Sequence, residues 1–273
     1  MTTDIRPGFI VEFVGLPGAG KSTIAHALAK RLRAEGELVT EPTREVSMSQ
    51  GRRWRKAAHA LRSFLYNPRS GIQGIRLILM SRQRTLRDAA VAAFNFLYVR
   101  GVMEASACRP GIHLLDQGFC NALWTIGFSA QVDDPLTPFR DATDCLWGKL
   151  PDLVLLVTAR PATVVARLRA RPGVGSRLEQ RLARKDFDSQ LAAATTALEQ
   201  TRSVLRQLAA DNQTCFQFHI VDNDTVSVET LVDANARLIR RILARQDMQN
   251  LSMTLTDHKI CNSDSRSHET EQA

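Results

Sequence analysis

The chain is 273 residues long, 44% hydrophobic and 23% charged, with a formal net charge of +8 at pH 7. This is ordinary globular composition, ample for one large core. No apolar run is long enough to span a bilayer: the best candidate, residues 89–99, is short and interrupted by Asn95. Residues 1–8 are polar and lead into a strand, so no signal peptide is expected. The five cysteines are scattered, odd in number and form no CxxC pair, which argues against a disulfide framework or a zinc site and fits a cytoplasmic location.

The elements alternate along the chain. Residues 9–14, FIVEFV, predict a buried strand in which Glu12 is the one charged residue. Residues 22–35 follow as a helix, with Ile24, Leu28 and Leu32 at helical spacing and Gly36 as its C-cap. A short second strand, 37–40, is stopped by Pro42. Residues 52–66 and 72–108 read as helices separated by the turn-rich NPRSG. Strands at 112–115, 153–157 and 216–221 complete the set. A helix at 161–171 has proline in its first turn, a long helical stretch covers 178–210, and a last helix covers 228–245. Alternation of this kind predicts an α/β fold: five parallel strands flanked by helices, with ligand loops at the strands' carboxyl ends. Residues 1–246 are expected to form this domain. Residues 247–273 are polar and lose periodicity, which predicts a disordered tail.

Between the first strand and the first helix lies GLPGAGKS, residues 15–22, which fits G-x-x-x-x-G-K-[ST]. Gly15, Gly18 and Gly20 let the backbone, with Pro17 and Ala19, wrap closely and point N–H groups inward. The following helix adds the positive end of its dipole. Lys21 is expected to reach β- and γ-phosphates, Ser22 to offer a hydroxyl to Mg²⁺, and Thr23 to donate to an α-phosphate. Both flanks are of the required type, an apolar strand before the loop and an amphipathic helix after it.

The same cradle serves switches, motors and kinases, so downstream residues must separate them. The second strand ends in VTEPT, which sets Glu41 at the carboxyl edge of the sheet, where it could take a proton from an acceptor hydroxyl or hydrogen-bond it. The third ends in HLLDQG, which sets Asp116 beside the γ-phosphate and Mg²⁺. The stretch ARLRARPGVGSRLEQRLAR, residues 166–184, reads as a mobile arginine-rich lid closing over a transferring phosphoryl group. Arg171 and Arg177 rank first there, with Arg167 and Arg181 next.

These segments together resemble the P-loop nucleoside and nucleotide kinases, in particular the thymidylate kinase and deoxynucleoside kinase group. The resemblance rests on GLPGAGKST, on TEP at 40–42, LILMSRQR at 77–84, LLDQG at 114–118, LPDLVLLV with the RP…VVARLRAR that follows, and FHIVDND at 218–224. It implies ATP- and Mg²⁺-dependent phosphoryl transfer to a small-molecule acceptor. Glu41 matches that group's basic glutamate, Arg82 an acceptor-binding arginine, and Asp116 the acid of its Asp-Arg or Glu-Arg-Ser motif. Asp222 and Asn223 match the loop bordering adenine. In three places the chain departs from the pattern. Gln117 stands where an arginine is expected, the interval from Arg82 to Asp116 is long, and the Gly-Gly-Thr that follows Glu-Pro is absent. The first removes a charge that an amide cannot replace, so Gln117 marks the acceptor side as altered.

Between Gln50 and Arg87 stand nine arginines and Lys56, with no Asp or Glu. Such a field attracts anions. The helices here also carry Trp54, Phe64, Tyr66, Phe94, Phe96 and Tyr98, which could stack a base or serve as core. Two other readings therefore stand beside the small-molecule kinase: a kinase acting on nucleic-acid ends or at an acidic membrane surface, and a nucleotide-binding regulator without transfer activity. A homodimer is also compatible with the resemblance.

Overall fold

The structure is a computed structural model that describes residues 8–147, 149–170, 187–210 and 217–267. Strand β1 (Phe9–Val14) is followed by helix α1 (Lys21–Ala34), the two-residue β2 (Val39–Thr40) and α2 (Pro42–Met48). Next come α3 (Arg52–Tyr66), α4 (Pro68–Met80) and α5 (Leu86–Ala107). Then β3 (Ile112–Leu115), α6 (Phe119–Ser129), α7 (Thr137–Asp141) and α8 (Thr143–Leu146) lead to β4 (Leu153–Thr158) and α9 (Pro161–Ala170). The chain ends with α10 (Phe187–Ala210), β5 (Gln217–Asp222) and α11 (Val228–Ser267).

The five strands form one parallel sheet in the order β2-β3-β1-β4-β5, as the alternation predicts. Period-two alternation divides the central strands between two apolar layers. Phe9, Val11 and Phe13 of β1 join Leu153, Leu155 and Val157 of β4 beneath α1 and α11. Ile10 and Val14, with Val154 and Leu156, face α5, α6 and α10 on the other side. Asp152 ties the two strands at their start: its Oδ2 accepts from Ile10 N at 2.7 Å and its own N donates to Ile10 O at 2.8 Å. The connections from β1 and from β3 run to opposite sides of the sheet, so the switch point lies at the carboxyl end of β1, where the glycine-rich loop sits.

Three boundaries differ from expectation for local reasons. The predicted helix 72–108 is two helices. Ser81 Oγ turns back to Ile78 O, Arg82 adopts φ 49°, Gln83 bridges to Ala130, and Thr85 caps α5 by accepting from Asp88 N at 3.0 Å. The NPRSG segment, predicted as a turn, starts a helix instead: Asn67 Oδ1 accepts from Ser70 N, and Pro68 takes the first helical position, where a missing N–H costs nothing. Pro42 does the same for α2, which the sequence reading did not anticipate, nor did it anticipate α6, α7 and α8. The last helix, expected to end at Arg245, continues to Ser267 through part of the stretch predicted as a disordered tail; no Gly or Pro interrupts residues 228–267.

Helix α3 lies against α5 at a close crossing. A Cβ on Gly101 would sit 2.2 Å from the His59 carbonyl oxygen, so only glycine permits this approach. The crossing brings α3 to the edge of the cleft described next.

Candidate active site

The loop between β1 and α1 is closed by its own lysine. Lys21 Nζ donates to Gly15 O at 2.7 Å and Leu16 O at 2.9 Å, which holds the ammonium at the loop's centre. Gly20 caps α1 at φ 100° with no side chain to spend on the first N–H groups, and the first turn holds no acid. No side chain of the helix's own first turn compensates its positive end, a condition for taking an anion there.

The loop is braced from behind by the last strand. Asn223 Nδ2 donates to Ala19 O at 2.7 Å, and Arg167 of α9 reaches the same oxygen at 3.3 Å while donating to Asn223 O at 3.0 Å. A Cβ on Gly20 would lie 2.2 Å from Asn223 Nδ2. Arg167, read from the sequence as a lid arginine, and Asn223, read as bordering adenine, are both bonded to the carbonyl of Ala19 in the loop. Asp222 does not offer a free carboxylate, since its oxygens accept from Asp224 N and Thr225 Oγ1 and so shape the turn after β5.

At the front, three chain segments meet on one carboxylate. Asp116, just past β3, accepts from Ser22 Oγ at 2.9 Å and Thr43 Oγ1 at 2.7 Å. Ser22 and Asp116, predicted as the metal pair, are adjacent, and Thr43 adds a third oxygen that the sequence reading missed. Hydroxyl and carboxylate oxygens are the donors a hard divalent cation such as Mg²⁺ prefers. Glu41 lines the same small cleft, along with Ser22, Thr43, Arg44 and Asp116. It is buried and heavily paired: His26 Nδ1 lies 3.1 Å from Oε2, Arg33 Nη1 donates to Oε1 at 3.1 Å, and Arg44 Nε lies 3.8 Å away. Those contacts fasten the start of α2 to α1. They leave Glu41 an oriented carboxylate surrounded by cations.

Lys56 of α3 and Tyr98 of α5 lie near enough to Asp116 to feel its charge. The Lys56 ammonium sits 5.0 Å from the centre of the Tyr98 ring. Burial and the nearby Arg52 lower the Lys56 pKa, while the charge of Asp116 opposes that shift. Burial, reinforced by Asp116, raises the Tyr98 phenol. The Tyr98 hydroxyl is buried and has no hydrogen-bond partner among the described residues. Both groups therefore lie within the field of the cleft's central carboxylate. The sequence named both, but only as members of a basic run and an aromatic set.

Behind Asp116 lies a second carboxyl. Glu12 of β1 is fully buried, its Oε1 accepts from Asn121 N at the start of α6, and its Oε2 has no hydrogen-bond partner among the described residues. Burial pushes its pKa up to about 7, with the N–H groups of Cys120 and Asn121 pulling the other way. The Cys120 thiol is pushed up by its own burial and then by Glu12.

Two expectations fall elsewhere. Arg82 lies on the α4–α5 link, whose neighbours bond the C-terminal end of α6; the cleft is at the other end of that helix, about 15 Å away by helical rise. The structure therefore does not bring Arg82 to Asp116. Gln117 is half-buried directly after Asp116. Arg171, Arg177 and Arg181 of the predicted lid lie outside the described residues.

A glycine-rich loop fitting G-x-x-x-x-G-K-[ST], set between the central strand of a parallel sheet and the helix that follows, has the form of a P-loop. No family profile matches the sequence. Thymidylate kinases of Xanthomonas campestris pv. campestris, strains B100 and 8004, are each 27% identical over 172 residues, covering 63% of this chain and 65% of theirs. The similarity thus spans just under two thirds of those relatives' length. Two solved structures of a deoxyadenosine kinase from M. mycoides align at a TM-score of 0.49. One holds the products dCMP and a flexible dCDP, is 15% identical and covers 86% of this chain. The other holds dATP, is 17% identical and covers 85%. Both are covered over 100% of their own length. The chain is thymidylate kinase-like in sequence, and it resembles the P-loop nucleoside and nucleotide kinases.

Proposed function

We propose that the chain is a phosphotransferase that moves the γ-phosphoryl group of ATP to a hydroxyl or phosphate of a nucleoside-, nucleotide- or sugar-like small molecule. The observation that carries this reading is the convergence of Lys21, Ser22, Thr43 and Asp116 at the carboxyl end of β1 and β3. Similarity to thymidylate kinases supports the same class.

In this reading the backbone N–H groups at the start of α1 hold the phosphates, and Lys21 leaves the loop carbonyls to pair with them. Ser22 and Asp116 would hold Mg²⁺, which would neutralise phosphate charge. Arg167 and Asn223 keep the Ala19 carbonyl turned away from the anion. On the acceptor side, Glu41 orients the acceptor hydroxyl, and Lys56, lying over the Tyr98 ring, attracts an anionic acceptor. Gln117 sets this acceptor apart from those of kinases with arginine there. Arg171 and Arg177 are assigned to the closing lid on sequence alone.

The test is incubation of the purified chain with ATP and a panel of nucleosides, nucleotides and phosphosugars, with Lys21→Ala alongside. Product from at least one acceptor is expected, with turnover reduced about a hundredfold or more in the variant. Nucleotide binding without transfer to any acceptor would replace this reading with that of a nucleotide-binding regulator. Equal turnover in both proteins would end it.

A further inference from the structure

Helix α3 is apolar on the side turned away from the core. Its inward face, with Ala60 and Ser63, packs on α5. On the opposite side Trp54, Leu61 and Leu65 are 81%, 59% and 68% exposed, and Tyr66 at the helix end is 84% exposed. Trp54, Ala58, Leu61 and Leu65 follow the spacing i, i+4, i+7, i+11, which places these four within an arc of about 60°. Ala58, Leu61, Leu65 and Tyr66 line one open groove, with Arg62 at its edge. Arg55 and Arg62 flank the stripe on one side and Arg53 on the other. Helix α4 repeats the pattern, exposing Ile72, Leu79 and Met80 with Arg69 and Arg76 between them. Folding gains nothing from leaving so many large apolar side chains in water, and a contiguous patch of this kind marks a docking surface.

The charge around the stripe selects its occupant. Residues 50–87 hold ten cations and no acid, while the whole chain is only +8, so everything outside this segment is slightly net negative. A second copy docking by two-fold symmetry would set this cationic patch against itself. Nucleic acid would satisfy the arginines but offers nothing to Leu61, Leu65, Ile72 or Leu79. An acidic phospholipid surface satisfies both sets, since acyl chains take the aliphatic stripe and headgroups take the arginines. Trp54 and Tyr66 would sit at the boundary, where amphipathic rings are favoured.

We propose that the outer face of α3, continued by α4, docks the protein on an acidic lipid surface. The stripe lies on the opposite side of α3 from its contact with α5, so the proposal stands apart from the phosphotransferase reading. It is tested by flotation of the full chain with phosphatidylcholine vesicles containing about one third phosphatidylserine, against pure phosphatidylcholine. Binding is expected to the acidic vesicles only, with a blue shift in tryptophan fluorescence that Trp54→Ser removes. Raising salt from about 50 mM to about 300 mM should weaken it. Arg55→Gln and Arg62→Gln should each weaken it about fivefold, and Leu61→Gln/Leu65→Gln should abolish it with circular dichroism and thermal unfolding unchanged. Absence of acidic-vesicle binding would overturn the proposal. So would a dimer that the Leu61/Leu65 pair dissociates, or tighter binding to an oligonucleotide that is unaffected by those leucines.

Discussion

The two walls of the cleft are built by different means. On the β1–α1 wall the backbone makes the site: glycine torsions, helix N–H groups and one lysine bonded to two carbonyls of its own loop. On the α2–α5 wall side chains make it: Glu41 held by His26, Arg33 and Arg44, and Lys56 lying on Tyr98. In the proposed reading the backbone cradle takes what all nucleotides share, the phosphates, and the side-chain wall takes whatever differs between acceptors. Perturbing the first should remove the chemistry, and perturbing the second should redirect or weaken it.

The largest expected effect comes from Gly20→Ala. Its Cβ would meet Asn223 Nδ2 at 2.2 Å, in a backbone at φ 100° that side chains resist. Moving Asn223 also frees the Ala19 carbonyl it holds. Nucleotide affinity measured by calorimetry should fall about a hundredfold or more, a loss of about 3 kcal/mol. Gly36→Ala is the control. It has φ 89° but nothing within 4 Å of a new Cβ, so it should cost only about 1 kcal/mol of stability and leave affinity unchanged. Equal losses in both would mean that torsional strain, not the packed contact, limits the loop.

Next is Asp116→Asn, which keeps one acceptor oxygen for Ser22 or Thr43 and removes the charge. Turnover with the best acceptor should fall about 10²- to 10³-fold, with melting temperature little changed. A fall in stability with normal turnover would reduce Asp116 to a structural bond between β3, α1 and α2.

What the sequence made legible follows the same division. The cradle could be read because each of its parts is local: a strand, three glycines, a lysine and a helix within about twenty residues. The parallel sheet was legible from alternation, and Asp116 from its place at the end of an apolar strand. Thr43 was not legible, because Pro42 read as the end of a strand when it begins a helix. The α4–α5 break was hidden because residues 81–85 are held by a bridge to Ala130, a contact that no helical pattern encodes. That bridge also sets Arg82 at the end of α6 opposite to Asp116. Lys56 and Tyr98 were visible as residue types, but only the close crossing at Gly101 brings α3 and α5 into register.

Glu12 separates the walls by pH. Its folded-state pKa, about 7, lies above the unfolded value of 4.5. Between those values the native state holds a proton that the unfolded state has lost. Its contribution is therefore complete below about pH 4.5 and disappears as pH rises through 7, a total of roughly 3 kcal/mol. Glu12→Gln should unfold with a shallower pH dependence between 5 and 7.5 than the parent, and should be the more stable protein at the upper end. Parallel curves would mean that water or a rearrangement of α6 relieves the buried carboxyl.

The smallest effect should come from Arg167→Ala, and its smallness is informative. Arg167 is exposed, and the oxygen it reaches at 3.3 Å is already taken by Asn223 at 2.7 Å. A solvent-screened bond to an acceptor with a second donor is worth about 1 kcal/mol, so nucleotide affinity should weaken about fivefold. Asn223→Ala, which removes the buried donor, should weaken it more, by about 2 kcal/mol. The ranking is what counts. If Arg167→Ala left binding intact but cut turnover by orders of magnitude, its guanidinium would be reaching past the loop to the transferring group during the reaction. Arg167 would then belong with the arginines proposed for a lid on sequence alone, and the boundary between the backbone-built wall and the side-chain-built wall would have to be redrawn through α9.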